Sequence, residues 1–171
     1  MEFRRVLFRS MYLPARVWSQ QNQDSRFKTG VLHILSAHSG PETAADARTH
    51  FGIFSPQVWK LFPRGHIINL SFWDYNDVAP GYFAAAEIAA REKKIGIIAI
   101  EVARPDLPVA DRSTFADKDP RAAAKGLYVI RDFAPGPRHG YVVCQGAFAT
   151  YNTVKVLPKL VQAGKIGRAH V

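Results

Sequence analysis

Short apolar runs alternate with longer amphipathic stretches along the first hundred residues, and this rhythm predicts the elements. Val31 to Ala37 (VLHILSA) is an apolar run after Gly30, suited to a strand buried on both faces. Ser39 to Thr49 is rich in turn formers and polar residues and predicts a loop, while Ser55-Pro56 ahead of the apolar-periodic VWKLF marks a helix start. His66 to Leu70 (HIINL) reads as a second strand. Val78 to Lys94 reads as an Ala-rich helix with a cationic last turn, and Ile95 to Val102 (IGIIAIEV) as a third strand. Strands that alternate with helices imply a parallel sheet with helices on both faces, so the expected fold class is α/β.

The composition changes from Ala103 to Asp119, where prolines and charges appear without periodicity, as in a connection between two units. Gly126 to Arg131 and Tyr141 to Gln145 are strand-like and separated by the Pro-Gly-Pro turn at 135–137, and Ala149 to Ala163 carries a helical pattern. The expected division is a first α/β unit over 11–110, a linker over 111–125 and the start of a second α/β domain over 126–164.

The two ends fit these periodic elements poorly. Residues 1–10 (MEFRRVLFRS) are basic and partly apolar but have neither the sustained apolar core nor the small-residue cleavage site of a signal peptide. Residues 165–171 (KIGRAHV) stop without a cap or a finished element. Both resemble translated sequencing-adapter sequence and are expected to be non-native extensions that add no strand to a sheet; the alternative is an ordinary basic arm at each end.

Composition narrows the function classes. Hydrophobic residues make up 47% and charged residues 22% of the 171, which is ordinary for a folded, water-soluble protein. One cysteine, Cys144, excludes an internal disulfide and favours a reducing cytoplasm. Apolar stretches such as Ile95 to Ile100 fall far short of the ~20 residues that span a bilayer, so no membrane helix is expected. The net charge of +9 shrinks to +5 once the two ends are set aside, and the remainder is scattered with no run longer than Lys93-Lys94. Without interleaved aromatics to stack bases, nucleic acid is not an expected partner, whereas a phosphorylated small molecule is compatible with the surplus.

Ligands of open α/β sheets bind outside the carboxyl ends of the strands, which directs attention to four residues. His38 ends the first predicted strand, Asp46 and His50 lie in the following loop, and Arg104 comes just after the third strand. A histidine relays protons near neutral pH, an aspartate orients hydroxyls, and an arginine clamps phosphate through a planar fork of donors. Together they suit a phosphorylated polyol. Two imidazoles and a carboxylate also admit a metal, and a metal-dependent hydrolase using His38, Asp46 and His50 stays open, although no second carboxylate is suitably placed.

The stretch AHSGPETAADARTHFGIF, which contains three of these residues, resembles the pyrimidine-binding domain of transketolases, where the corresponding segment reads roughly THDSIGxGEDGPTHQP. The strand-end histidine precedes the aspartate by eight positions in both, and that aspartate precedes the next histidine by four. The strand ending IEVARP stands where transketolases have a Ser-Arg-Gln end, and YVIRDF and YVVCQGAFAT resemble the opening of the transketolase C-terminal domain. The resemblance covers about residues 11–163.

It implies that His38 and Arg104 bind the sugar phosphate, that Asp46 contacts a substrate hydroxyl, and that His50 stands near the reacting carbons, with Asp46 and His50 the catalytic pair. His33, His66 and His139 match nothing functional. It further implies a partial thiamine-diphosphate-binding fold in an enzyme that transfers a two-carbon ketol unit between sugar phosphates, works as a homodimer, and uses thiamine diphosphate anchored by Mg2+ or Ca2+. Two departures bear on substrate choice: Ala47-Arg48 replaces the family's Gly-Pro, and Ser39 replaces its acid. The Gly-Asp-Gly motif and the cofactor-activating glutamate are not found in the sequence, so this chain is expected to be a fragment that is inactive alone. Other thiamine-diphosphate enzymes, the deoxyxylulose phosphate synthases and ketoacid dehydrogenase components, and a non-catalytic module that binds phosphorylated ligands are the remaining alternatives.

Overall fold

Three parallel strands organise the amino-terminal part of the molecule. The computed structural model describes residues 2–27, 30–37, 54–103, 106–132, 140–163 and 168–170. The strands are β1 (Leu32–Ala37), β2 (Ile67–Ser71) and β3 (Ile97–Val102), ordered β1-β3-β2, so the last in sequence is central. Leu32 pairs with Ile97 and Ala37 with Val102, while Ile67 also pairs with Ile97 and Ser71 with Glu101. A central parallel strand is covered on both faces, which explains why Ile97, Ile98 and Ala99 are all fully buried and why IGIIAIEV has no polar alternation. The expected α/β class with a parallel sheet flanked by helices is what the structure has.

Helices α1 (Glu2–Asp24) and α2 (Phe54–Trp59) accompany one face, where Ala15, Trp59 and Phe62 close over Ile34, Ile97 and Ala99. The longest helix, α1, is not among the elements that periodicity predicted, because its stretch is rich in polar residues and carries Pro14. Its close docking depends on Gly96, where a Cβ would stand 2.7 Å from Asn22 Nδ2. Residues 2–10 run without a break into this helix.

On the other face α3 (Tyr75–Arg91) lays Ala85 and Ala89 against Leu70, Phe72 and Ile98. It starts three residues before the expected Val78 because Asp74 caps it, accepting a bond from Asn76 N at 3.0 Å. Arg91 in its last turn faces the negative end of the helix dipole.

The stretch over 111–125, expected as a linker, packs against its neighbours. Arg112, Phe115 and Ala122 are buried there, Ala116 and Asp117 donate backbone bonds to Ile130 and Val129, and a 3-10 helix (Pro120–Lys125) lies against α3. Phe115, Ala122, Tyr128 and Ile130 form a third core around Trp73, which α4 (Ala147–Gln162) closes with Val154 and Leu157. Lack of periodicity marked irregular backbone correctly; it did not mean exposure.

Strands β4 (Val129–Arg131), β5 (Tyr141–Val143) and β6 (Arg168–His170) make a second sheet in the order β4-β6-β5, antiparallel between β4 and β6 and parallel between β5 and β6. The expectation that residues 165–171 add no strand is therefore corrected: β6 is the middle strand. Three residues suffice for this because the ladder is held by backbone groups, which any sequence without proline supplies. Among the described residues no helix is long and apolar enough to cross a membrane.

Candidate functional site

The four residues singled out from the sequence, His38, Asp46, His50 and Arg104, lie outside the described residues, as do Ser39, Ala47, Arg48 and His139. The structure does describe the strand ends that lead into them. Ala37, the last residue of β1, is the register partner of Val102, the last residue of β3, and the two strands are parallel. His38 is one peptide unit beyond Ala37, and Arg104 is two beyond Val102.

Just inside that edge a polar row crosses the sheet. Ser36, Glu101 and Ser71 are register partners on β1, β3 and β2. Glu101 is 2% exposed and accepts a 2.9 Å bond from the indole Nε1 of Trp59, which α2 positions over this face. Ser36 is 3% exposed, and its hydroxyl has no hydrogen-bond partner among the described residues. A carboxylate in a strand interior is costly unless it is hydrogen-bonded, so Glu101 stands out from the five aliphatic residues that share its strand. Sequence reasoning read IGIIAIEV as a strand and gave its one acid no role. The available signal was a single acid in an otherwise uncharged strand, three positions before the candidate arginine.

A second polar centre sits at the amino end of α3. Arg112 is 9% exposed and places Nη2 3.1 Å from Asp74 Oδ1 and 2.5 Å from Asp77 Oδ1. Its guanidinium lies between the rings of Trp73 and Tyr128, at 5.4 and 5.5 Å from their centroids. Asp74 also accepts from Ala110 N at 2.8 Å, and Asp77 from the Tyr128 hydroxyl at 3.2 Å and from Trp73 N at 3.3 Å. Burial pushes the Asp77 carboxyl above its ordinary range, with the charge and hydrogen bond of Arg112 offsetting part of that rise. Burial likewise pushes the Tyr128 hydroxyl up, reinforced by the Asp77 charge beside it. Burial works against the Arg112 charge, but Asp77, Tyr128 and Asp74 outweigh it and hold the guanidinium ionised. These contacts tie the 110–131 segment to α3.

The remaining titratable residues are placed more simply. His33 lies on the exposed side of β1, 3.0 Å from the Tyr82 hydroxyl, and His66 at the start of β2, 3.4 Å from the Ser19 hydroxyl. Cys144 is buried and donates to Thr153 Oγ1 at 3.1 Å. Among the described residues no three His, Cys, Asp or Glu side chains gather as a metal site. Neither a scan against models of known protein families nor a search of curated proteins yields a match to this chain.

Proposed function

We propose that this chain is part of a transketolase-like, thiamine-diphosphate-dependent enzyme, and that it supplies the residues that hold the sugar phosphate. The observation that carries the reading is the pairing of β1 with β3 as parallel neighbours that end together at Ala37 and Val102. The chain passes into His38 and Arg104 from one edge of one sheet, the carboxyl edge at which ligands of such sheets bind. In this reading the Arg104 fork and the His38 ring take the phosphate, Asp46 fixes a hydroxyl, and His50 exchanges protons near the reacting carbons. The buried carboxylate of Glu101 and the hydroxyl of Ser36 lie one register position inside that edge.

Bound thiamine diphosphate would supply the carbanion-stabilising centre for ketol transfer, with Mg2+ or Ca2+ anchoring its diphosphate. The sequence does not fit that group: it has neither the Gly-Asp-Gly motif nor the cofactor-activating glutamate that the resemblance calls for. Cofactor binding is therefore assigned to other parts of the enzyme and to a second subunit of a homodimer. The lone buried thiol of Cys144 fits a cytoplasmic setting. A module that only binds phosphorylated ligands uses the same four residues and differs in having no turnover.

The test compares a phosphorylated sugar with its unphosphorylated analogue in an enzyme that includes the cofactor-activating segment. Arg104→Ala is expected to raise KM for the phosphorylated donor about ten-fold to over a hundred-fold, the worth of a charge-assisted hydrogen bond, and to leave the analogue nearly unaffected. Asp46→Ala is expected to lower kcat for both sugars. Equal losses for both sugars in Arg104→Ala would remove its phosphate role, and binding without any ketol transfer would favour the non-catalytic module.

A further inference from the structure

The opposite, amino edge of the parallel sheet carries a separate polar cleft. It has a volume of about 300 Å³ and lies between α1 and the turn that joins α2 to β2. Tyr12, Arg16, Ser19, Gln20 and Gln23 line one wall, at the spacing of a single stripe along a helix, and Leu61, Phe62, Pro63 and His66 line the other. The Tyr12 and Phe62 rings meet edge to face at 5.6 Å and close one end.

Three features give the cleft its character. Ser19 is only 4% exposed, yet its hydroxyl is directed across the cleft to His66 Nδ1 rather than into an apolar core. His66 is fixed at the entry to β2 by its own backbone, donating to Pro63 O at 3.2 Å and accepting from Gly96 N at 3.1 Å. Arg16 lies on the exposed rim and has no ion-pair partner among the described residues. The Lys94 side chain lies over Gly65, next to His66, and brings a second cation to the same region. Among the described residues no carboxylate lines the cleft; the nearest acid along α1, Asp24, is engaged by the Gln20 amide at 2.9 Å. The polar groups lining the space are thus a guanidinium, two hydroxyls, an imidazole and two amides; the Gln20 and Gln23 amide nitrogens already donate to Asp24 and to Lys94 O, which leaves the Arg16 guanidinium as the main donor and the source of positive charge.

We propose that this cleft binds a small anion of the phosphate class, either inorganic phosphate or the phosphate group of a small ester. Arg16 provides the planar fork that matches two phosphate oxygens, and the Ser19–His66 pair, which spans the cleft from the Arg16 wall to the opposite one, provides one further donor. The volume is at the lower end for ligand sites, sufficient for a phosphate with a few attached carbons. The site is distinct from the carboxyl edge where His38 and Arg104 are proposed to act: His66 precedes β2, whereas His38 follows β1, and both strands run parallel to β3.

The experiment is a titration of the whole chain with inorganic phosphate and, in parallel, with glycerol 3-phosphate, at constant ionic strength, followed by backbone amide shifts and read at Arg16 to Ser19 and at His66. Saturable shifts at those residues with either compound are expected, and the stronger of the two identifies free phosphate or an ester as the ligand. Arg16→Gln, at an exposed position that does not threaten folding, is expected to weaken binding about ten-fold or more, the effect of losing a charge-assisted bond. Ser19→Ala should give a smaller loss and Arg104→Ala none. Shifts no larger than those from chloride, or an unchanged Kd in Arg16→Gln, overturn the proposal. Loss of the shifts in Arg104→Ala but not in Arg16→Gln would place the phosphate at the carboxyl edge and overturn it equally, while leaving the proposed function standing.

Discussion

Arg112 is the residue on which most of the buried charge depends. Two carboxylates, Asp74 and Asp77, share its guanidinium inside the third core, and neither has another cationic partner among the described residues. Arg112→Met keeps much of the volume but leaves both carboxylates without a counter-charge, so urea unfolding is expected to show a loss of about 3 to 5 kcal/mol. A loss below about 1 kcal/mol, the range of an exposed pair such as Arg121 with Glu87, would mean the cluster is wet in solution. Asp77 gives a second test through pH. Its native carboxyl titrates above the ordinary range because it is buried. A group that binds its proton more tightly when folded favours the native state at pH below its unfolded value, and that contribution is lost as pH rises through the native value. The stability of the unmodified protein relative to Asp77→Asn should therefore fall as pH is raised from about 4 toward 7, starting at the unfolded aspartate value. A relative gain over that interval would mean the Arg112 charge outweighs burial at this site.

Between elements, the contact most sensitive to shape is that of α3 with Phe72. A Cβ at Gly81 would stand 2.5 Å from Phe72 Cε1 and 3.4 Å from Ala123 Cβ, with both the glycine and the ring buried. Gly81→Ala is expected to destabilise by roughly 1 to 3 kcal/mol in thermal or urea unfolding, even though alanine is the better helix former by about 1 kcal/mol. Adding Phe72→Leu should recover part of that loss, and failure to do so would place the strain elsewhere. The elements that the sequence made legible share one property: each declares its environment through side chains. The central strand Ile95 to Val102 is apolar because both its faces are covered, whereas the edge strands Val31 to Ala37 and His66 to Leu70 bury one side and leave His33, Leu35 and Asn69 exposed on the other. Helix α3 is visible for its alanines, although its start depended on Asp74, whose capping role reads equally well as a turn residue. Helix α1 hid its nature although it is amphipathic, because its overall composition is polar, Pro14 stands inside it, and it meets the sheet through small and polar contacts such as Ala15 and the Asn22–Gly96 approach. The packed segment around Arg112 and Phe115 was hidden for a related reason: it is anchored by an ion pair and single aromatics, and neither has a period.

For the molecule as a whole, the sequence made the three parallel strands legible, while the candidate site residues themselves lie outside the described residues. The apolar runs end at Ala37 and Val102, which the structure pairs on neighbouring strands, but the burial of Glu101 and the amino-edge cleft depend on packing between distant segments, which no local pattern reports. The carboxyl end makes the same point for the second sheet. Read as residues, 165–171 have no apolar alternation and resemble an addition; placed in the fold, Arg168 to His170 separate β4 from β5 and pair with both. The two accounts predict different outcomes when the chain is shortened to end at Ala163. If the segment is foreign to the fold, amide hydrogen exchange should be unchanged everywhere. With β6 as the middle strand, β4 and β5 lose their shared partner. A pair of three-residue strands is too short to hold its own ladder, so the amides of Val129 to Arg131 and Tyr141 to Val143 should lose protection. The ladder from β1 through β3 to β2 does not touch β6, and amides of Ile97 to Val102 should keep theirs. Loss of protection in both sheets would instead show that the second sheet supports the first, through the Trp73 core that α4 closes with Val154 and Leu157.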